Sequence, residues 1–222
     1  MSKFLERCSK IDLLKTEIKP LSSTLLPRLH VQYLNEAVEC FHKKLPISCI
    51  VVSSALVERT LFWQFIRQHP PKAGDTMTKI RLLNGKGKLR ECKPNLGFLF
   101  LKFADWGILF NSLLDKGEQE SVKINRERKA KECEPEKMKK LDKRFEDAFR
   151  KARYVETRNL FAHGKELLLP IPVTQLLPPN NYALSEYGID SDEWFNPTLE
   201  TIACVHLSKT LRFIKAFSDF LN

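Results

Sequence analysis

The sequence predicts an all-α protein. Three stretches repeat apolar residues at intervals of three and four positions, which is the pattern of a helix with one face turned to a core. They are residues 29–44, residues 136–163 and the last helix, which Pro197 starts and whose core stripe begins with Leu199. A fourth stretch, residues 47–68, is nearly all apolar and small from Ile50 to Leu56, which predicts a helix in the centre of the protein.

Prolines divide the N-terminal helices. Residues 1–20 have loosely helical spacing that ends at a proline, and Pro27 suits the first turn of the helix over residues 29–44. Pro46 separates that helix from the one over residues 47–68, because proline removes a backbone donor and clashes with the preceding turn. The two helices are therefore expected to form a hairpin.

The middle of the chain is less regular. Residues 72–95 are polar and glycine-punctuated, and we expect a basic surface loop there, since the phosphate-loop frame GxxxxGK[ST] is absent. Residues 96–114 are the most apolar window, but Lys102 and Asp105 fall inside it. Charges near the centre of a membrane span cost about 2.5–3.5 kcal/mol each, so a buried helix is expected and no membrane association. Residues 164–197 are proline-rich and predict a long loop.

Composition indicates one packed domain over the 222 residues, because 43% of them are hydrophobic. The formal net charge of +10 favours polyanionic partners such as RNA, DNA or an anionic membrane.

The six cysteines are scattered without a CxxC pair, and the N-terminal residues do not resemble a signal peptide. We therefore expect reduced thiols, a cytoplasmic location, and no metal or other cofactor.

One short segment, RNLFAHG, carries the candidate chemistry. Each residue of a helix turns by about 100°, so Asn159 and His163 share a face and Arg158 lies on the same broad arc. Tyr154 and Phe161 point elsewhere and are expected to pack inward. The glycine after the histidine suits a left-handed C-terminal cap, which places His163 in the last helical turn.

These residue types fit RNA cleavage without a metal. The pKa of histidine lies near neutral pH, so His163 can move a proton, and the guanidinium of Arg158 can donate hydrogen bonds to a charged phosphoryl group. Asn159 can donate to a phosphate oxygen or fix the His163 tautomer. Glu58 is either a solvated or salt-bridged residue, or an acid that orients Arg158 or His163.

The Arg-x4-His spacing in RNLFAHG, with the ALVERTL stretch of the upstream hairpin, resembles the HEPN superfamily (higher eukaryotes and prokaryotes nucleotide-binding). The resemblance covers about residues 27–69 and 143–221 of a single domain over residues 1–222. Residues 70–142 form an insertion or elaboration. The resemblance implies a HEPN-like antiparallel helical bundle with an inserted charged helical or loop region.

The same resemblance implies a metal-independent endoribonuclease with Arg158, Asn159 and His163 as catalytic residues. It also implies a homodimer whose two motifs face each other across one cleft, and products with 2′,3′-cyclic phosphate and 5′-hydroxyl ends. Such enzymes act as toxins or in anti-phage defence, so an antitoxin or defence-system partner protein is a further expectation.

Two alternatives stay open at the level of sequence. Arg158 can serve a structural ion pair with Glu156 or Glu58 while His163 caps its helix, in a non-catalytic module that binds RNA, nucleotide or a protein partner. The charged helix before the motif is either a solvated face or a grip on the RNA backbone. Its candidate RNA-binding residues are Lys143, Arg144, Arg150, Lys151 and Arg153.

Overall fold

The computed structural model describes residues 2–18, 28–68, 80–83, 89–92, 99, 154–162, 187–190, 192–193 and 197–221. In chain order its elements are α1 (Lys3–Thr16), α2 (Arg28–His42), α3 (Pro46–Gln68), β1 (Ile80–Leu83), β2 (Leu89–Cys92), α4 (Tyr154–Ala162) and α5 (Leu199–Leu221). The described part of the chain is mostly helical, which confirms the helical character predicted from the sequence.

α2 and α3 form the predicted hairpin, and the turn between them is a Schellman motif. The amide of Leu45 donates to the carbonyl of Cys40 at 2.9 Å, and that of Lys44 to the carbonyl of Phe41 at 3.0 Å. Lys44 occupies the left-handed position with φ 57°, where glycine is usual. Pro46 is the first residue of α3, a position where its missing N–H costs nothing.

The apolar stripe predicted for α2 faces the core. Leu34, Ala37, Val38 and Phe41 are buried, and α2 packs along α3. The predicted stripe explains this packing, since positions three and four apart lie on one face of a helix.

α5 is the most enclosed helix of the described chain. Every residue from 201 to 211 is buried, and the helix packs on α1, α2 and α3. It begins at Leu199, two residues later than the predicted start at Pro197, because Thr198 is the cap: its hydroxyl accepts from the amide of Thr201 at 3.1 Å. Leu199, predicted in the core stripe, is instead 44% exposed in this first turn.

α1 is attached to the rest of the molecule by the buried Arg7. Its guanidinium contacts Glu200 of α5 at 3.2 Å and Glu193 at 2.5 Å, and it donates twice to the carbonyl of Gly188 at 3.4 Å. One arginine therefore joins three parts of the chain that are distant in sequence.

The segment that Arg7 contacts is itself fixed locally. The amide of Glu193 donates to Asp190 at 2.9 Å, and the amide of Asp190 donates to Glu193 at 3.3 Å, which is a reciprocal capping box. Gly188 has φ 67°, so the chain turns there through the left-handed region.

β1 and β2 pair as an antiparallel hairpin, with Ile80 opposite Cys92 and Leu83 opposite Leu89. We expected a loop over residues 72–95, so this expectation was wrong for the paired segments. The two segments are joined by backbone hydrogen bonds between strands, and helical periodicity does not reveal such pairing. The buried helix predicted over residues 96–114 lies almost wholly outside the described residues.

α3 is long and apolar enough to cross a membrane by length and composition alone. Half of its most apolar window is buried inside the protein, and the helix packs against α2, α4 and α5. These contacts are typical of a core helix, since a soluble core helix and a membrane span have similar composition.

Candidate functional site

α4 carries the predicted motif and packs on α3. Tyr154, Thr157, Leu160 and Phe161 are buried, so this face of the helix anchors it. The prediction that Tyr154 and Phe161 point inward is confirmed. Arg158 and Asn159 remain partly accessible, because they lie beside that anchored face.

Two oxygens of described side chains contact the guanidinium of Arg158. Its Nη2 lies 3.3 Å from Oε2 of Glu58 on α3, and its Nη1 donates to Oδ1 of Asn159 at 2.9 Å. The side chains of Arg158 and Glu58 are 25% and 26% exposed, so the pair lies at the surface without being fully solvated. This contact is the one expected both for a structural ion pair and for an acid that orients the arginine.

One helical turn before Arg158, a buried polar cluster joins α4 to α3 and α5. The hydroxyl of Tyr154 lies 2.7 Å from that of Thr210 and donates to the carbonyl of Ser53 at 3.3 Å. The Tyr154 ring stacks on His206, with centroids 3.9 Å apart and planes 13° apart. Nε2 of His206 lies 2.8 Å from the hydroxyl of Ser54.

The cluster sets which residues of α3 and α4 meet. Tyr154 of α4 donates to Ser53 of α3. One turn further along both helices, Arg158 of α4 contacts Glu58 of α3. Residues four apart lie on the same face of a helix. The Arg158–Glu58 contact therefore depends on the same alignment of the helices that the buried cluster fixes.

The titratable groups of this cluster keep their neutral forms at ordinary pH. Burial, with a smaller contribution from Lys209, lowers the pKa of His206 to about 3. Burial also raises the pKa of Tyr154 well above its usual value. Neither side chain can exchange protons with a substrate near neutral pH, so the cluster has a structural role.

Sequence reasoning gave His206 no role and could not choose between core and solvent for it. The available signal was the Ser53-Ser54 pair in the most apolar part of α3. Hydroxyls buried in such a helix need partners, and a histidine and a tyrosine elsewhere in the chain can supply them.

The structure brings together three of the candidate site residues: Arg158, Asn159 and Glu58. His163 directly follows the last residue of α4 and lies outside the described residues. So do Lys143, Arg144, Arg150, Lys151 and Arg153.

The described residues offer few other reactive groups. Burial raises the pKa of Cys49 and Cys204 to about 12, so these thiols are not nucleophilic at neutral pH. They are free thiols, as are Cys8 and Cys40. No group of three or more His, Cys, Asp or Glu in the described part of the chain could hold a metal ion.

What the site can do chemically therefore depends on Arg158. Its guanidinium presents several donors in a fixed plane, and a partly exposed arginine next to an amide suits a phosphate or phosphoryl group. No protein-family model, curated protein or solved structure matches this chain.

Proposed function

We propose that the protein is a metal-independent endoribonuclease of the HEPN type. The observation that carries this proposal is the position of Arg158, which is fixed by Glu58 and Asn159 and remains a quarter exposed. An arginine held in place at the surface can meet a phosphate without reorganising, which is the condition for electrostatic stabilisation of a transition state.

The proposed reaction uses the ribose 2′-hydroxyl as the nucleophile. Its oxygen forms a bond to the adjacent phosphorus while the bond from phosphorus to the 5′-oxygen breaks. His163 transfers one of the two protons that move, from the 2′-hydroxyl or to the leaving 5′-oxygen. Arg158 stabilises the negative charge on the phosphoryl oxygens, and Asn159 donates to a phosphate oxygen or orients His163.

The reaction has a proton to remove and a proton to supply, and each chain contributes one histidine to this motif. A homodimer with two facing motifs would supply both an acid and a base. We therefore propose the dimer as the active form. The cations of the segment before the motif bind the RNA backbone. An antitoxin or defence-system protein is the proposed partner.

The products test the proposal. Incubation of a labelled single-stranded RNA with EDTA is expected to give fragments with 2′,3′-cyclic phosphate and 5′-hydroxyl ends. The same RNA with 2′-O-methyl groups should resist cleavage, because the nucleophile is blocked. Cleavage of the methylated RNA, or fragments with 5′-phosphates, would contradict the mechanism.

A second candidate is a non-catalytic module of the same type that binds RNA, nucleotide or a protein partner. The observation that favours it is the engagement of the Arg158 guanidinium with Glu58 and Asn159, which a structural ion pair explains by itself. Such a module would bind RNA without cleaving it, and its affinity would not depend on His163.

A further inference from the structure

A second surface feature lies on the outer side of α3, just after Glu58. Arg59, Trp63 and Arg67 are spaced four residues apart, so they form one stripe along the helix. At a rise of about 1.5 Å per residue the stripe is about 12 Å long. Tyr33 of α2 lies beside its first member, with the Cζ atom of Arg59 4.9 Å from the centre of the tyrosine ring.

The stripe alternates positive charge with aromatic surface. The Cζ atom of Arg67 lies 4.8 Å from the centre of the Trp63 ring, so both guanidinium groups lie over aromatic rings. Both arginines are exposed, and both rings are partly buried against the core. The rings are therefore rigid, while the cations reach solvent.

Carboxylates do not neutralise this surface among the residues that the structure describes. Arg59 and Arg67 make no ion pair there, and Glu58, the acid next to Arg59 in sequence, is paired with Arg158. Within the described part of the chain, the stripe therefore presents two positive charges without a carboxylate partner beside the proposed site.

We infer that this stripe, composed of Tyr33, Arg59, Trp63 and Arg67, binds single-stranded RNA. A single strand offers phosphates to the guanidinium groups and unpaired bases to the planar side chains, and sites for single strands combine both kinds of contact. This inference deepens the proposed ribonuclease function and rests on it for the identity of the nucleic acid.

Stacking of a base on Trp63 or Tyr33 is expected to be stronger than the contact between the ring and its arginine. A base stacked on an aromatic side chain contributes more binding free energy than a cation–π pair at an exposed position. A base can therefore displace a guanidinium from its ring or stack on its outer face, while the displaced arginine gains a phosphate partner.

Double-stranded RNA does not fit the stripe. Its bases are stacked inside the helix, so they cannot reach Trp63 or Tyr33, and only phosphate contacts remain. Preference for single strands is thus the property that distinguishes this surface from a general basic patch.

The test measures binding with a probe that cannot be cleaved. A fluorescent 2′-O-methyl oligoribonucleotide, single-stranded or annealed to its complement, is titrated with the full chain and followed by anisotropy. We expect tighter binding of the single strand. Trp63→Leu, which keeps apolar packing and removes the ring, should weaken that binding about tenfold, since stacking is worth about 1–3 kcal/mol.

Arg67→Gln is the second variant, and its exposed position makes misfolding an unimportant concern. It should reduce the slope of log K against log salt concentration by about 0.7, the value for one phosphate contact on a single strand. The matched controls are Phe4→Leu and Lys44→Gln, because Lys44 lies over the ring of Phe4 at 4.5 Å and neither residue belongs to the stripe.

The inference is overturned if the single strand does not bind, if the duplex binds equally well, or if Trp63→Leu and Arg67→Gln bind like the controls. Cleavage of unmodified RNA by the same proteins separates the two proposals. If RNA is cleaved and the stripe variants bind normally, the stripe inference is rejected and the ribonuclease proposal stands. If binding depends on the stripe and no RNA is cleaved, the stripe inference stands and the ribonuclease proposal is rejected.

Discussion

Arg158 depends on a neighbour from another helix for its position. Glu58 of α3 places a carboxylate oxygen 3.3 Å from the Arg158 guanidinium, and Asn159 supplies another contact from within α4. If the proposed function holds, Glu58 acts as a positioning residue rather than as a proton carrier.

Replacing Glu58 by glutamine tests that role. The free energy of unfolding should change by less than about 1 kcal/mol, because partly exposed ion pairs contribute little. The rate of RNA cleavage should fall about 10- to 100-fold, since small misplacements of a catalytic group have effects of that size. Urea denaturation and single-turnover cleavage provide the two values.

The matched control for that variant is Glu39→Gln, which breaks the exposed pair between Glu39 of α2 and Lys43, the residue after that helix. It should leave both quantities unchanged. An unaltered cleavage rate in Glu58→Gln would assign Glu58 a purely structural role.

His206 makes stability depend on pH. Its pKa is about 3 in the folded protein and about 6.5 in the unfolded chain, so below pH 6.5 only the unfolded chain gains a proton. The stability due to neutral His206 is therefore complete above pH 6.5 and is lost as the pH falls toward 3. The loss approaches about 1.4 kcal/mol per pH unit.

His206→Gln removes this dependence. The variant should be less stable than the parent protein at pH 7.5, because the stacking on Tyr154 is lost. The difference in unfolding free energy should then shrink as the pH is lowered to 4.5. A difference that stays constant over this range would mean that His206 is not buried in its neutral form.

Single residues differ in how far their roles can be predicted from the sequence. Glu58 was identified because it interrupts an apolar helix, and its contact with Arg158 was among the expected pairings. The role of His206 could not be identified in this way, because its partners Ser54 and Tyr154 are far away in sequence. Their proximity exists only after α3, α4 and α5 pack together.

At the scale of elements, Arg7 is the side chain that joins α1 to Glu193 and to Glu200 of α5. Arg7 is nearly fully buried, whereas Glu193 and Glu200 keep side-chain exposures of 20% and 29%. Loss of the arginine would leave both carboxylates partly solvated but without this partner, and would also remove the donors to the Gly188 carbonyl.

We predict that Arg7→Met lowers the unfolding free energy by about 2–3 kcal/mol, somewhat below the usual cost of breaking a fully buried pair. Urea denaturation of the full chain measures it. Lys3→Met is the control, since Lys3 pairs with Asp190 in the same contact region but is exposed. Equal effects of the two substitutions would contradict the central role of Arg7.

A helix could be predicted from the sequence where its apolar periodicity and its capping residues lie within one short stretch of the chain. α2 and α3 begin and end within two residues of the predicted bounds. The residues that set these ends, the prolines and the Schellman turn, lie directly beside the helices. The β-hairpin was not predictable in this way. Its stability comes from pairing between β1 and β2, and neither four-residue strand carries a distinct pattern alone.

At the scale of the whole molecule, the proposed chemistry needs two chains. Sedimentation equilibrium should give about twice the chain mass of 25.8 kDa at the concentrations at which RNA is cleaved. Dilution below the dissociation constant of the dimer should abolish cleavage, since a single motif supplies one histidine. A monomer that cleaves RNA at full rate would contradict the composite site.

The most direct test of the account compares RNA cleavage by the parent protein, Arg158→Ala and His163→Ala in the presence of EDTA. Circular dichroism must first show that all three are folded. We predict cleavage by the parent protein alone, with losses of at least about 100-fold in both variants, the usual contribution of an acid–base group or an oxyanion donor. Equal cleavage by all three proteins would show that this motif is not the active site.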